Sequence, residues 1–389
     1  MLLGTSCSSD HHDGGGRSDD ASVARTVLVY MVAENSLSSV VYDDIREMLE
    51  ANEQMSANDH LVVYVDNSVL PRIYHIDRKT SAETMMKLTP VKTYTQDMNS
   101  ADAQTLSEIL AYTIKNYPAD EYGLVMWSHA SGWVPSTYTE SQAPRRRSFG
   151  IDNGQNTTDD WGPQMEIGDM ASALSAFPKL KFILFDACFM QSMEVAYELK
   201  DCAEWLIGSA AEIPASGAPY EKIVGAMFAD PFSAAAVARN YYEYYADDIY
   251  GSLLSAIDCS QMDAFGAYVA NLMRANQAAL DSADLIGVLN YYDYDALHEQ
   301  LAIPDQYDLR GMMRKVLSES DFAAFDKQLQ AVCTAYATKA WWSGLAQAQL
   351  TCDSAQYGGI SAYWPQQKYA AENFYDYYKT TRWAKYLNR

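Results

Sequence analysis

The chain has 389 residues, 49% of them hydrophobic and 12% aromatic, which is enough for a substantial core in one large α/β domain or two. Its 28 basic against 51 acidic side chains leave a formal charge of −23, which repels nucleic-acid phosphates and favours cationic small molecules or basic peptides as partners. After the N-terminus no apolar run reaches the roughly 18 residues that a membrane-spanning helix needs.

From Arg25 onward, strand and helix patterns alternate. Thr26 to Ala33 reads as a strand, Ser38 to Asn52 as a helix with Ser36 or Ser38 as N-cap, and His60 to Val65 as the next strand. Arg72–Asp77 and Thr84–Leu88 suggest a hairpin at the sheet edge. A helix over 102–116 precedes the apolar run Tyr122–Trp127, which breaks into Ser128, His129, Ala130, Ser131 and Gly132. A polar insert, Val134–Pro163, separates it from a second run that starts at Lys181 and stops at Asp186, Ala187 and Cys188. Strands at Trp205–Ala210 and Ser252–Asp258 follow, then helices over 261–280, 308–317 and 321–341 and a returning strand at Gly359–Tyr363. This grammar predicts a three-layer α/β/α sandwich with a mostly parallel central sheet. We divide the chain into a flexible tether (1–24), a main α/β domain (25–258) and a helical C-terminal elaboration (259–389).

His129 and Cys188 each close an apolar strand, and ligands of open α/β sheets bind beyond the carboxyl ends of the strands, so adjacency of the two strands makes a cysteine–histidine dyad. A thiol of ordinary pKa is only a few per cent thiolate at neutral pH, and peptide cleavage also needs an acid for the departing amine, a role His129 fills. A helix expected directly after Cys188 would favour the thiolate through its N-terminus, with the backbone N–H groups of Cys188 and of Ala130 or Ser131 as oxyanion donors. Taken singly, each residue is more often a buried apolar cysteine or a satisfied structural histidine. Cys202, Cys259, Cys333 and Cys352 read as buried small hydrophobes; with no Cys-x-x-Cys pair or His-rich spacing, no metal site is expected from them. Asp152, Asn153, Gly154, Gln155 and Asn156, with Asp159 and Asp160, offer oxygens suited to calcium but lack the EF-hand register, so a polar turn is the plainer reading.

A strand ending in Ser-His, then one ending in Asp-Ala-Cys, resembles the clostripain family of cysteine peptidases, of the caspase-like clan; the segments Thr26–Ala33, Glu166–Ile167 and Gly358–Pro365 extend the likeness over residues 25 to 389. The family usually has Gly where this chain has Ala130. The resemblance implies a caspase-like fold and an endopeptidase that cuts after Arg or Lys, with no required cofactor and calcium stimulation in some relatives. Asp186 is then the pocket acid for the substrate's cation, with Glu212 as second candidate and helix capping as the structural alternative for Asp186. It also implies activation by a cut between His and Cys. Arg145, Arg146 and Arg147 mark the place, and we expect self-cleavage between Arg147 and Ser148 into two fragments that stay associated as a monomer.

Met1 to Cys7 resembles the end of a bacterial lipoprotein signal, with Cys7 as the lipidated residue, and the Ser/Asp/Gly-rich stretch to Ser22, with His11 and His12, reads as a tether. Acidic residues so placed resemble surface-export signals of gut Bacteroidetes lipoproteins. The expected location is therefore outside the cytoplasm of a Gram-negative gut-type bacterium, secreted or held at the outer membrane through Cys7. The rival reading is a surface lipoprotein that keeps the fold and binds peptides without cutting them; Ala130 favours it.

Overall fold

The computed structural model describes residues 23–81, 88–136, 148–154, 160, 162–285, 287–291, 306–366 and 373–388. In chain order the strands are β1 (Arg25–Val32), β2 (His60–Asp66), β3 (Arg72–Ile76), β4 (Lys92–Thr93), β5 (Glu121–Trp127), β6 (Leu180–Asp186), β7 (Ala203–Gly208), β8 (Leu253–Asp258), β9 (Tyr307–Asp308), β10 (Cys333–Ala337), β11 (Ala340–Ser343), β12 (Ala348–Thr351) and β13 (Ser361–Ala362). The helices are α1 (Val41–Ala51), α2 (Ala103–Asn116), α3 (Ile167–Leu174), α4 (Met193–Leu199), α5 (Tyr220–Met227), α6 (Ala234–Tyr245), α7 (Met262–Ala275), α8 (Gln277–Ser282), α9 (Leu309–Val316), α10 (Glu319–Val332), α11 (Asn373–Tyr378) and α12 (Arg382–Leu387).

The main sheet runs β10-β8-β7-β6-β5-β1-β2-β3-β4. Its inner strands β7, β6, β5, β1 and β2 are parallel, and both edges are antiparallel. Central strands read as continuous apolar runs because helices cover both faces: every residue of β1 is buried. Alternation sends Val27, Val29, Val125, Phe182 and Leu184 to one face, against α1, α5 and α6, and Leu28, Tyr30, Leu124 and Ile183 to the other, against α2, α3, α4 and α7. The α/β/α sandwich with a mostly parallel core is thus as expected.

Three readings are corrected. The helix expected over 321–341 ends at Val332, where Cys333 turns the chain into β10, antiparallel to β8, so the stretch after Asp258 contributes an edge strand to the main sheet. The return near the end, β13, pairs with β9 outside that sheet. Its Gly359 (φ +78°) sits where a Cβ would meet Ala335 at 2.6 Å and Ser255 at 2.9 Å, so the segment lies flat across β8 and β10. From there Ser361 N–H donates to Gln191 O at 2.9 Å and Tyr363 N–H to Glu194 at 3.0 Å, bracing the loop that follows Cys188. Finally, α1 starts at Val41 behind an uncapped Val40, and Ser36 has another task, described below. In the edge hairpin, β3 pairs with β2 and β4; residues 84–87 lie outside the described residues, as do Cys7, His11 and His12. Among the described residues no helix is long and apolar enough to cross a membrane.

Candidate active site

Parallel pairing of β5 with β6 sets Trp127 opposite Asp186, and Ser128 N–H donates to Asp186 O at 3.3 Å. His129 and Cys188, each two residues beyond that matched pair, therefore leave adjacent strands at the same level. Ser128 is tied sideways to the turn after β1: its Oγ donates to Val32 O at 2.7 Å and receives Asn35 Nδ2 at 3.4 Å. The next residue of that turn, Ser36, holds the imidazole, with Oγ 2.9 Å from His129 Nε2, and both meet Asp160, which lies 3.6 Å from Nε2 and 3.1 Å from Ser36 Oγ. Neither partner was read from the sequence, because they come from remote loops and neither carries a motif.

Cys188 is half-buried, and its Sγ accepts Ile213 N–H at 3.4 Å. The chain then passes through Phe189 at φ +62°, a left-handed conformation that a bulky residue rarely adopts, a strain that clusters at functional turns. The N–H groups of Phe189 and Gln191 are taken by Ala211 O and Ser209 O, so the loop clings to the extension of β7. Helix α4 begins only at Met193, with Ser192 as its N-cap, which removes the expected helix N-terminus from the thiol. Ser131 is likewise corrected as an oxyanion donor: its N–H is bonded to Ser148 O at 3.2 Å because residues 129–131 pair antiparallel with 148–150. In that bridge the N–H of Ala130 is not used. The other thiols, Cys202, Cys259, Cys333 and Cys352, are buried and free, and burial pushes the last three up to about 12.

Asp186 sits 3% exposed beneath this crevice. Ala218 N–H (2.9 Å) and Tyr241 OH (3.5 Å) reach one oxygen and Tyr220 OH (3.0 Å) the other; it caps no helix. Behind it Asp44, on α1, accepts Trp127 Nε1 at 2.6 Å. Burial drives both carboxyls upward, Asp44 further because it also feels the Asp186 charge and has one donor, whereas three donors hold Asp186 back. Glu47, beside Tyr220 N–H, is raised by burial and by Glu221. Two buried carboxyls, those of Asp186 and Asp44, thus lie close enough to feel each other's charge. Gly217 (φ +69°) packs against Asp186: a Cβ there would stand 3.1 Å from Asp186 Oδ2. Glu212 does not join Asp186: its carboxylate accepts Leu345 N–H at 3.1 Å, next to Gly344, and so fastens the turn between β11 and β12.

Arg145, Arg146 and Arg147 lie outside the described residues, but both flanks of their segment converge on one side chain. Ser136 N–H and Oγ (2.9 and 2.7 Å) hold one Glu166 oxygen and Ser148 Oγ (2.6 Å) the other. Ser148 is fully buried, and its N–H donates to Gln164 at 3.0 Å. Of the polar cluster in the insert, 155–159 lie outside the described residues; Asp152 is buried, with Ser100 N–H and Oγ on Oδ2 at 2.5 and 2.9 Å, and Asp160 is at His129.

The profile of the clostripain family, peptidase family C11, matches residues 29–388. The chain belongs to the clostripain family. This protease superimposes with a TM-score of 0.78 on the inactive zymogen of a C11 protease from Parabacteroides distasonis, at 29% identity over 94% of this chain and 99% of that one. A secreted C11 cysteine protease from Bacteroides thetaiotaomicron, solved with an irreversible peptide inhibitor, gives a TM-score of 0.78 at 28% identity over the same shares. Clostripain of Hathewaya histolytica is 26% identical over 224 residues, which is 51% of this chain and 41% of that protein. The chain is therefore a cysteine protease acting on peptides or proteins.

Proposed function

We propose that this protease is an endopeptidase that cuts after Arg or Lys, with Cys188 as nucleophile and His129 as acid and base. The thiolate attacks the scissile carbonyl, the imidazole protonates the departing amine, and water, deprotonated by the same imidazole, releases the acyl group from sulfur. Ser36 and Asp160 fix the ring, and the N–H groups of Cys188 and Ala130 serve as oxyanion donors.

The observation that carries the Arg/Lys preference is the buried carboxylate of Asp186, backed by Asp44, with no cation among its described partners. Uncompensated buried acids are costly, and a guanidinium or ammonium brought by substrate relieves that cost. An inhibitor with Arg next to a thiol-reactive group tests this. One equivalent attaching to Cys188, and none to Cys188→Ala, is expected; absence of any adduct under reducing conditions supports the non-cutting binder instead.

Self-cleavage after Arg147, with Arg145 or Arg146 as alternates, belongs to the same reading. The two pieces would stay together because β5 would belong to the light one and β6 to the heavy one, adjacent in the middle of the sheet, and because Gly150 N–H bonds His129 O at 2.9 Å. N-terminal sequencing of the heavy piece beginning at Ser148, from active chain only, is the expected result; equal cutting of Cys188→Ala in the absence of other proteases removes the idea. Export with a lipid anchor at Cys7 is checked by mass measurement of the mature N-terminus.

A further inference from the structure

The loop that carries His129 has two sets of backbone partners. Residues 129–131 pair with 148–150, and beyond that bridge Gln306 Nε2 donates to Ser131 O at 3.0 Å. Gln306 is fully buried, and its Oε1 has no donor among the described residues. A bare buried acceptor costs at least as much as one hydrogen bond returns, so stability alone does not explain an amide at this place. The amide stands where the two halves of the site meet. At Gly132, whose φ is +77°, an added Cβ would lie 2.6 Å from Phe189 O and 3.5 Å from Gln306 Nε2, so the loops after His129 and after Cys188 touch beside that side chain.

Gln306 comes from the C-terminal part of the chain, where its backbone is firmly tied. Its O accepts Tyr291 N–H at 3.1 Å, and the next two residues form β9, which pairs with β13. Asp308 then takes Tyr291 OH and the N–H groups of Gly311 and Gly358. From β13, Ser361 braces Gln191 in the loop that follows Cys188. One two-stranded sheet therefore holds the cysteine loop through Ser361 and the histidine loop through Gln306. We propose that Gln306 is a positioning residue, which sets the histidine loop against the cysteine loop so that the imidazole meets the departing amine. This rests on the reading of Cys188 as nucleophile and His129 as acid.

The test offers the full chain one acyl peptide ending in Arg, as a peptide amide and as its p-nitrophenyl ester. In both, the Cys188 thiolate forms the S–C bond. The amide nitrogen leaves with the C–N electron pair only when the imidazole protonates it, whereas p-nitrophenolate leaves with the C–O pair unprotonated. A lost oxyanion donor or a smaller folded fraction lowers both rates alike, so the ratio of kcat/KM for amide over ester reads proton delivery. Gln306→Met keeps the length and removes the donor, and Gln306→Asn is an amide too short to reach Ser131 O. Each should lower that ratio by roughly 10- to 100-fold, since a misplacement of about 1 Å costs about 100-fold. His129→Ala should lower it at least as far. A folded Gln306→Met or Gln306→Asn chain with the parent's ratio overturns the proposal, and so does failure of both to fold, which would make the amide a stability element. A His129→Ala chain that keeps the ratio removes the dyad and this proposal with it; loss of the ratio in His129→Ala alone removes this proposal and leaves the dyad standing.

Discussion

Asp186→Asn is the sharpest test of how the pocket chooses its substrate. Asparagine keeps an oxygen that can accept Ala218 N–H or Tyr220 OH, so the fold should survive while the charge is lost. Removing one member of a buried, hydrogen-bonded charge pair costs about 2–5 kcal/mol; taking roughly 3 kcal/mol gives about a hundredfold in kcat/KM at about 1.4 kcal/mol per decade. The assay compares two peptides that differ only at the residue before the scissile bond, Arg in one and its neutral isostere citrulline in the other. The parent should prefer Arg by roughly that factor, and Asp186→Asn should bring the ratio near unity while cleaving the citrulline peptide as well as the parent does. Because burial raises Asp186 to about 6, the Arg preference of the parent should also fade as the pH drops below that value, a limb that the variant lacks. Asp44→Asn, which imitates the protonated form that burial and the Asp186 charge already favour, should leave the ratio almost unchanged. A folded Asp186→Asn protein that still discriminates as the parent does would refute the assignment.

Gly217→Ala places a methyl 3.1 Å from Asp186 Oδ2 at φ +69°, so kcat/KM for Arg peptides should fall by at least tenfold, roughly the 1.4 kcal/mol that such strain and crowding cost together; parent-like kinetics would show that substrate does not pass Gly217. A small alkylating agent at neutral pH, read by peptide mass mapping, should modify Cys188 and spare Cys259, Cys333 and Cys352, whose thiols burial holds near 12. Stability should fall with rising pH in the Cys188→Ala chain. Asp66 holds a proton in the fold up to about 9 that the unfolded chain sheds near 4, so between those limits the native state binds more protons and each step upward favours unfolding. Urea midpoints at pH 6, 7.5 and 9 check this, and a midpoint that rises over that span contradicts it.

The sandwich and the dyad were legible because both depend on local pattern. Apolar runs of strand length, each breaking at a reactive residue, reveal β5 and β6, and parallel pairing brings their ends together whatever the loops do. Pairings that depend on distant partners were not legible. Cys333–Ala337 continues the apolar spacing of α10 and leaves the helix only because the edge of β8 offers an open ladder. Ser131 looked like an oxyanion donor until residues 148–150 folded back onto it. Glu212 lies on the strand end expected to face Asp186, yet the two N–H groups of the turn at Gly344 and Leu345 claim its carboxylate. Asp152 was noticed among its sequence neighbours, whereas the carboxylates that meet it in space, Glu34, Asp66 and Asp97, come from three separate segments.

The acidity of the chain has a location as well as a total. Alternation along β6 turns Asp186 to the face that carries α1 and α5, and alternation along β2 turns Asp66, with Tyr64, to the opposite face. Two buried groups of acids therefore flank the carboxyl ends of β1 and β5, one on each side of the sheet. Burial pushes Asp44 on one face and Asp66 on the other up to about 9, whereas Asp186, with three donors, stops at about 6 and is ionised at neutral pH. In the reading proposed above, only the first of the two groups meets a substrate cation. Asp66→Asn should therefore leave the ratio of Arg to citrulline cleavage as it is in the parent, whereas Asp186→Asn should bring it near unity. An Asp66→Asn variant that altered the ratio would mean the two acid groups are not independent.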